Sequence, residues 1–561
     1  MLTIKNLIKT VLHLPEKNIT QIMKNLFLAF LFFTSLLVNI SCKQNEKATH
    51  KEELNLDLQG TINRFGKTTF DSTLISPFFK TYPELAKYEE NVYAIYRGHE
   101  FHHIWFDENG VLEFANSLYS KVKGIATEGV YNVFPYPEKI DGIFADDVEN
   151  SLSETETELI ITSMFLFYAE NVYKGIDDKT AAAIEWLLPK KQVSYENLLD
   201  SVMMNTGLLT KNDSVLFSQY YKLRDMLKHY RDIQKNGGWD SIYINPKLKS
   251  INPGDTGMAI LQIRERLFIT GDVLENNKSN LYDEALLAAV NKYQKRNGKK
   301  EQPAITRDLI DRMNIPIGEQ IKKITVNMER WRWISPEVAN ASEYIFVNIP
   351  SYQLTYNRDG TRVLEMPVVV GKTMSKTVIF SGNMSFVVFS PYWNIPPSIL
   401  NSEVLPGIKK DKNYLAKHNM EWNNGQVRQK PGRNNSLGLV KFIFPNSNNI
   451  YLHDSPSKNL YARDSRAFSH GCVRLGKPRD LALEILKDDP EWTTEKIDAA
   501  MHAGAEKWVS LKNKIPVHIG YFTAWVNEQG EIHFYEDIYK RDDKLFDILI
   551  GYEESVLAEN K

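Results

Sequence analysis

A chain of 561 residues, 43% apolar and 11% aromatic, can bury several cores, enough for about three to four domains, and is no disordered tail. Its 68 basic and 70 acidic residues nearly cancel to a formal charge of −2, which argues against a general electrostatic binder of nucleic acid. Two cysteines, Cys42 and Cys472, stand in two different chemical contexts.

Lys24 precedes an apolar run from Leu26 to Ile40, which is short for a membrane span but suits the core of a signal peptide. Ser41 is the small residue before Cys42, so residues 1–42 resemble a bacterial lipoprotein signal in which Cys42 is lipidated and becomes the first residue. Asn39 departs from that pattern, which prefers Leu. A plain signal peptide or an N-terminal membrane anchor is the competing reading. Met23 opens the signal and reads as the true start. Residues 43–61 follow as a polar tether. Exported compartments favour disulfides, yet a lipidated Cys42 leaves Cys472 as the one free thiol. A leftover thiol there marks a reactive group or an intermolecular bridge.

Residues 62–240 are mainly helical in pattern. Leu216, Tyr220, Leu223, Leu227 and Tyr230 recur at helical spacing, with Asp213 as a cap and Gly237-Gly238 as a stop, and core packing accounts for them. His99, His102 and His103 lie near Trp105 without the carboxylate–histidine spacing of a metal site. Residues 245–315 form a compact unit. Asn252-Pro253-Gly254-Asp255 reads as a turn, followed by a helix with Ile260, Ile263 and Leu267 inward and a second with Leu286, Val290 and Tyr293. The run from Gly254 to Leu267 and the run Ala289–Gly298 resemble the small three-helix peptidoglycan-binding domain, with an inert spacer bundle as the alternative.

From about 320 to 545 the pattern changes to strands. The candidates are Tyr344–Ile349, Pro367–Val370, Phe386–Phe389, Leu439–Phe444, Ile450–Leu452, Val517–Val526 and Ile532–Tyr535, with one helix opened by Pro478 and Asp480. Residues 395–435, rich in Pro, Asn, Gly and Lys, read as an irregular functional lid. The fold class expected is α+β and multidomain: a helical scaffold, a three-helix unit and a β-rich catalytic domain with a lid insertion.

Cysteine attacks as a thiolate, so a useful thiol needs a base or a cation nearby. Ser469-His470-Gly471-Cys472-Val473-Arg474 supplies both, and His453 ends a strand 19 positions upstream of Cys472. Gly471 permits a tight turn in which backbone N–H groups near Cys472 face a developing oxyanion.

His453, a spacer of sixteen residues ending in Ser469, and then His470-Gly471-Cys472 resemble the signature of the YkuD-type L,D-transpeptidases. The long form of that family, with an N-terminal scaffold, is similar over about residues 65–545. Asn327–Trp333 resembles the segment that opens its catalytic domain. Pro391–Pro396 and Lys430–Asn435 resemble its lid region, and Tyr451–Pro456 its base-bearing strand. Arg474 departs from the Asn common after the motif, a change that the long subgroup tolerates.

The resemblance implies acyl transfer on peptidoglycan stem peptides, with Cys472 as nucleophile and His453 as general base. Asp454 or a backbone carbonyl orients His453. Ser469, His470 and Gly471 serve as oxyanion-side or supporting residues, with a packing histidine as the alternative for His470. Arg474, Arg433, Tyr451, Trp393 and Asn394 contact substrate, with a solvated lid charge as the alternative for Arg433. It also implies acylation of Cys472 by carbapenems. No cofactor is implied. The outcome expected is a 3→3 cross-link between stems. Water as acceptor would make a carboxypeptidase, a protein lysine would give lipoprotein attachment, and a D-amino acid would give stem editing.

Two rivals carry less. His453, His470 and Cys472, joined by His518 or His533, are zinc-type ligands, but paired cysteines and close histidine spacing are lacking and no metal is expected. A non-enzymatic wall tether would not need the His453–Cys472 pair. The expected partners are peptidoglycan stem peptides and glycan, and a membrane reached through the lipid on Cys42, with no nucleic acid. The expected place is the periplasm, on the inner leaflet of the outer membrane.

Overall fold

The computed structural model describes residues 68–107, 110–145, 152–204, 215–334, 338 and 341–551. The signal, Cys42, the tether and Asp213 lie outside the described residues. Among the described residues no helix is long and apolar enough to cross a membrane.

The helical half is organised around α1, Glu154–Tyr168. Ser153 caps it, accepting from the Glu156 N–H while the Glu156 side chain returns a bond to the Ser153 backbone. Every residue of α1 from Thr157 to Tyr168 is buried, so it is a central helix rather than a surface one. α2, Ser218–Lys235, carries the expected stripe, and Leu216, Tyr220, Leu223, Leu227 and Tyr230 are all buried. The three-helix unit follows as α3 (Met258–Ile269), α4 (Glu284–Arg296) and α5 (Arg307–Met313). Ile260, Ile263, Leu267, Leu286, Val290 and Tyr293 meet in its core, as their spacing requires.

Strands do not begin at 320. Residues Ile317–Trp333 form α6, and it packs along α2. Its last turn, Glu329-Arg330-Trp331-Arg332-Trp333, is buried on every side. Arg330 donates to Asp542 at 2.7 Å. Arg332 donates to Glu329 and to the carbonyls of Val172 and Glu128. The Trp333 indole donates to Glu329 at 2.8 Å. Trp331 stacks on Phe217 and Phe522 at 4.6 and 4.1 Å. Charged and aromatic residues are both buried here because α6 has partners all around it.

The strands build a closed sheet. β1 (Trp186–Leu187) comes from the helical half. β2 (Glu343–Asn348), β3 (Gln353–Arg358), β4 (Thr361–Gly371) and β5 (Ile379–Phe389) follow α6. The lid contributes β6 (Trp393–Asn394), β7 (Met420–Asn423) and β8 (Gln426–Gln429). Then come β9 (Val440–Ile443), β10 (Leu452–His453), β11 (Ala467–Ser469), β12 (Val473–Leu475) and β13 (Lys507–Gly520). The pairing runs β9-β10-β12-β4-β3-β2-β13-β5, and β5 pairs β9 again, so these strands form a ring without a free edge. β1 extends β5 in parallel and ties the two halves together. Gln219 on α2 does the same, exchanging bonds with the Val526 backbone at 2.6 and 3.0 Å. The chain from Gly66 onward is accordingly one compact unit.

Two expectations need correction. Val517–Val526 is not one strand: β13 ends at Gly520, where Asn348 captures the Phe522 N–H, and Ala524–Val526 pairs separately with Ile532–Phe534. Nor is 395–435 irregular. Helical turns run from Pro397 to Lys410, and β7–β8 is a hairpin closed by Asn424-Gly425, both at positive φ. Ile395, Ile399, Val404 and Val427 give this lid an apolar core of its own. The expected helix at 478 is present as α7, Pro478–Leu486.

Candidate active site

Strand alternation decides which side chains meet. Phe442, Leu452, Val473 and Leu475 are fully buried in the sheet core, so Lys441, His453 and Arg474 take the opposite face. Lys441 on β9 is the Cα partner of His453 on β10, and His453 is the Cα partner of Arg474 on β12. The three form one row across three strands. Cys472 precedes β12 and Tyr451 precedes β10, each two residues from a member of the row and therefore on its side. Burial, and then the neighbouring Cys472 sulfur, push the Tyr451 hydroxyl up, and the Trp393 indole of the lid opposes this. The Tyr451 ring centre lies 5.6 Å from that of His453.

His453 is buried, with Nδ1 2.5 Å from the Asp454 carbonyl oxygen. A carbonyl only accepts, so Nδ1 carries the proton and Nε2 is the basic nitrogen. Of the two groups considered for orienting His453, the backbone carbonyl holds the ring. The Asp454 carboxylate turns elsewhere, to the N–H groups of Leu439 and Ser455 and to Lys458, at 2.9, 2.7 and 2.5 Å.

The turn before Cys472 is braced by hydroxyls. Gly471 sits at φ +119°, a left-handed conformation that suits glycine. Ser469 Oγ accepts the Gly471 N–H at 3.1 Å and donates to the Cys472 carbonyl at 2.6 Å. Thr377 donates to the Gly471 carbonyl at 2.7 Å and accepts from the Gly371 N–H at 2.9 Å. The thiol points toward the Asn449 carbonyl at 3.7 Å.

Several expected roles change. The Gly471 N–H is taken by Ser469 and the Val473 N–H by the Tyr451 carbonyl at 3.2 Å, so neither is free for an oxyanion. His470 is exposed and faces the lid, with Nε2 3.1 Å from Glu403. Arg433 and Asn394 are exposed lid residues, and neither bonds Cys472 or His453. His518 and His533, weighed as metal ligands, bond Ser381 and Asn527 instead. Among the described residues no group of three or more His, Cys, Asp or Glu is placed to hold a metal. Three contributors escaped the sequence reading: Lys441, Thr377 and Glu403. An isolated lysine in an apolar strand was the available signal for the first. Nothing local marks the other two.

Burial pushes His453 down to about 3, and Arg474 and then Lys441 add to this, against the Asp454 bond. Burial pushes the Cys472 thiol up, against the influence of Tyr451 and then Arg474. The resting pair is therefore a neutral thiol beside a neutral imidazole. Arg474 is itself partly buried. Its Nε has no partner, and no carboxylate pairs with it among the described residues.

A thiol, an oriented imidazole and a folded lid on one face of a closed sheet coincide with a family match. Residues 342–495 match the model of the L,D-transpeptidase catalytic domain. The chain carries an L,D-transpeptidase domain. Residues 90–227 match the model of a scaffold domain, so the helical half belongs to the same multidomain α+β arrangement. A Haemophilus influenzae protein, provisionally named an L,D-transpeptidase, is 36% identical over 257 residues, 42% of this chain and 51% of that protein. The chain thus spans about half the length of that curated relative. Solved structures of L,D-transpeptidases are also similar. The one from Xylanimonas cellulosilytica is 14% identical, covering 49% of this chain and 100% of its own, at a TM-score of 0.17. The one from Mycobacterium smegmatis is 12% identical, covering 32% and 58%, at 0.18.

Proposed function

We propose that this L,D-transpeptidase domain joins peptidoglycan stem peptides by 3→3 cross-links through a thioester on Cys472. The observation that carries the reading is the pairing of β10 with β12. It brings the His453 imidazole, held through Nδ1, to the same face as the thiol.

Cys472 Sγ attacks the carbonyl of the diamino acid at stem position three, and its proton passes to His453 Nε2. Backbone N–H groups of the turn other than those of Gly471 and Val473 stabilise the oxyanion. The C–N bond breaks, His453 returns the proton to the departing D-alanine amine, and the thioester remains. A side-chain amine of a second stem attacks this thioester. His453 takes a proton from that amine and the sulfur leaves as the thiol. Arg474 holds a substrate carboxylate, and Tyr451 and Trp393 position the thiol beneath the lid. The three-helix unit binds the wall. A lipid on Cys42 tethers the protein in the periplasm, at the outer membrane.

The test is mass spectrometry of residues 60–561 incubated with a disaccharide-tetrapeptide, beside Cys472→Ala. A dimer lighter than two substrates by one alanine, absent from the control, is expected. Tripeptide without dimer would make the enzyme a carboxypeptidase.

A further inference from the structure

Three N–H groups belong to the turn at Cys472, and two of them are spent. Ser469 Oγ takes that of Gly471, and the Tyr451 carbonyl takes that of Val473. The Cys472 N–H has no partner among the described residues. Its direction is set from the far end of its own peptide. A trans peptide is planar, so the Gly471 carbonyl and the Cys472 N–H point opposite ways and turn together. Gly471, at φ +119°, has the freedom to let that plane swing.

Thr377 holds the plane still. It lies between β4 and β5 and is fully buried. Its hydroxyl accepts the Gly371 N–H at 2.9 Å, which leaves the hydroxyl proton for the Gly471 carbonyl at 2.7 Å. Tyr539 fixes Thr377 in turn. The Tyr539 hydroxyl accepts the Thr377 N–H at 3.0 Å and donates to the Gly371 carbonyl at 2.6 Å. Each hydroxyl therefore has one donor and one acceptor as partners, and losing either hydroxyl strands buried backbone groups. The helical half braces this frame. Glu185 meets Lys376, the residue before Thr377, at 3.4 Å, and Arg541, two residues after Tyr539, at 2.6 Å. β1 begins at the residue after Glu185 and pairs with the first two residues of β5.

We propose that Thr377, set by Tyr539, is a positioning residue that aims the Cys472 N–H at the oxyanion of the acyl-transfer step. This rests on the acyl-transfer reading and adds to it the group that directs one oxyanion donor. When Sγ bonds to the attacked carbonyl carbon, the C=O electron pair moves onto oxygen. An N–H already aimed at that oxygen stabilises it without reorganising. Thr377 acts only through the peptide plane it holds.

Two reactions of the same thiol in the full chain separate aiming from folding. Release of D-alanine from a disaccharide-tetrapeptide passes through the oxyanion. Alkylation of Cys472 by iodoacetamide, followed by mass spectrometry of its peptide, builds no oxyanion. Thr377→Val removes the hydroxyl and is expected to lower kcat for release about thirtyfold, part of the roughly hundredfold or more that an oxyanion donor supplies. KM and the alkylation rate should stay within about twofold of the parent. Thr377→Ser should bring kcat back to within about threefold. Tyr539→Phe should lower kcat about tenfold with the same split.

A Thr377→Val variant with parental kcat overturns the proposal. So does one whose alkylation slows as much as its kcat, which would mean that Thr377 holds the thiol rather than the N–H. If Thr377→Val does not fold, Tyr539→Phe decides by the same two reactions. D-alanine leaves whether an amine or water resolves the thioester, so the choice of acceptor does not enter. A parent chain that is alkylated but releases no D-alanine defeats the acyl-transfer reading, and the proposal with it.

Discussion

Arg332 and Arg474 are both withdrawn from water, in two regions that treat a positive charge in opposite ways. At the junction of α2 and α6, Arg332 is fully buried and satisfied by Glu329 and two backbone carbonyls. On the catalytic face, Arg474 has an unpartnered Nε and no carboxylate. A buried charge is tolerated when its partners are built in, and otherwise it waits for a ligand. The junction is thus a clamp made of internal pairs, and the catalytic face holds a charge left open.

The comparison can be broken from either side. Arg332→Ala should cost the most stability, about 3–5 kcal/mol, because it strands Glu329 in the interior. The urea midpoint of residues 60–561 measures it, and a cost below about 1 kcal/mol would mean that the clamp does not hold the halves together. Arg474→Met should reverse the pattern. Stability should stay within about 1 kcal/mol of the parent, since no partner is stranded, while kcat/KM for cross-linking falls by about a hundredfold.

Acid should act on the catalytic face next. The unfolded chain protonates His453 near the ordinary 6.5, and the folded one only at about 3. Between these values the unfolded state binds more protons, so stability falls as pH drops from about 6.5 toward 3. His518, pushed down to about 4 by burial, adds the same sign. In Glu158 of the helical half, burial pushes the carboxyl up to about 7, which opposes this slope. His453→Gln should flatten the acid loss of stability in chemical denaturation, and an unchanged slope would refute the assigned burial.

The smallest effect belongs to the lid. His470 and Glu403 are roughly half exposed, so Glu403→Gln should cost no more than about 0.5 kcal/mol. A severalfold rise in KM with kcat held would mark the pair as a lid contact. A large loss of kcat would give His470 a chemical role instead.

Much of the site was readable because its chemistry is local in sequence. Cys472, Gly471 and Ser469 act on one another within four residues, and the strand ending at His453 announced itself through Ile450-Tyr451-Leu452. The apolar stripes of α2, α3 and α4 were equally plain, since helical spacing needs no partner to be recognised. The lid's hairpin also left a trace in Asn424-Gly425, yet polar composition hid its small apolar core.

What failed was whatever depends on neighbours far along the chain. Glu329–Trp333 lies in the stretch expected to change to strands, and it is helical because Val172, Glu128 and Asp542 surround it. His470 looked like part of the site until Glu403, far upstream, was opposite it. The sequence by itself singled out the Cys472 thiol, the His453 imidazole and the mixture of helical and strand regions, because side-chain chemistry and periodicity are local properties. Tertiary structure alone decided that the sheet closes, that β1 crosses from the helical half, and that Lys441, His453 and Arg474 share one row. Register is set by the packing of whole strands, so no short segment could announce which charges flank the base.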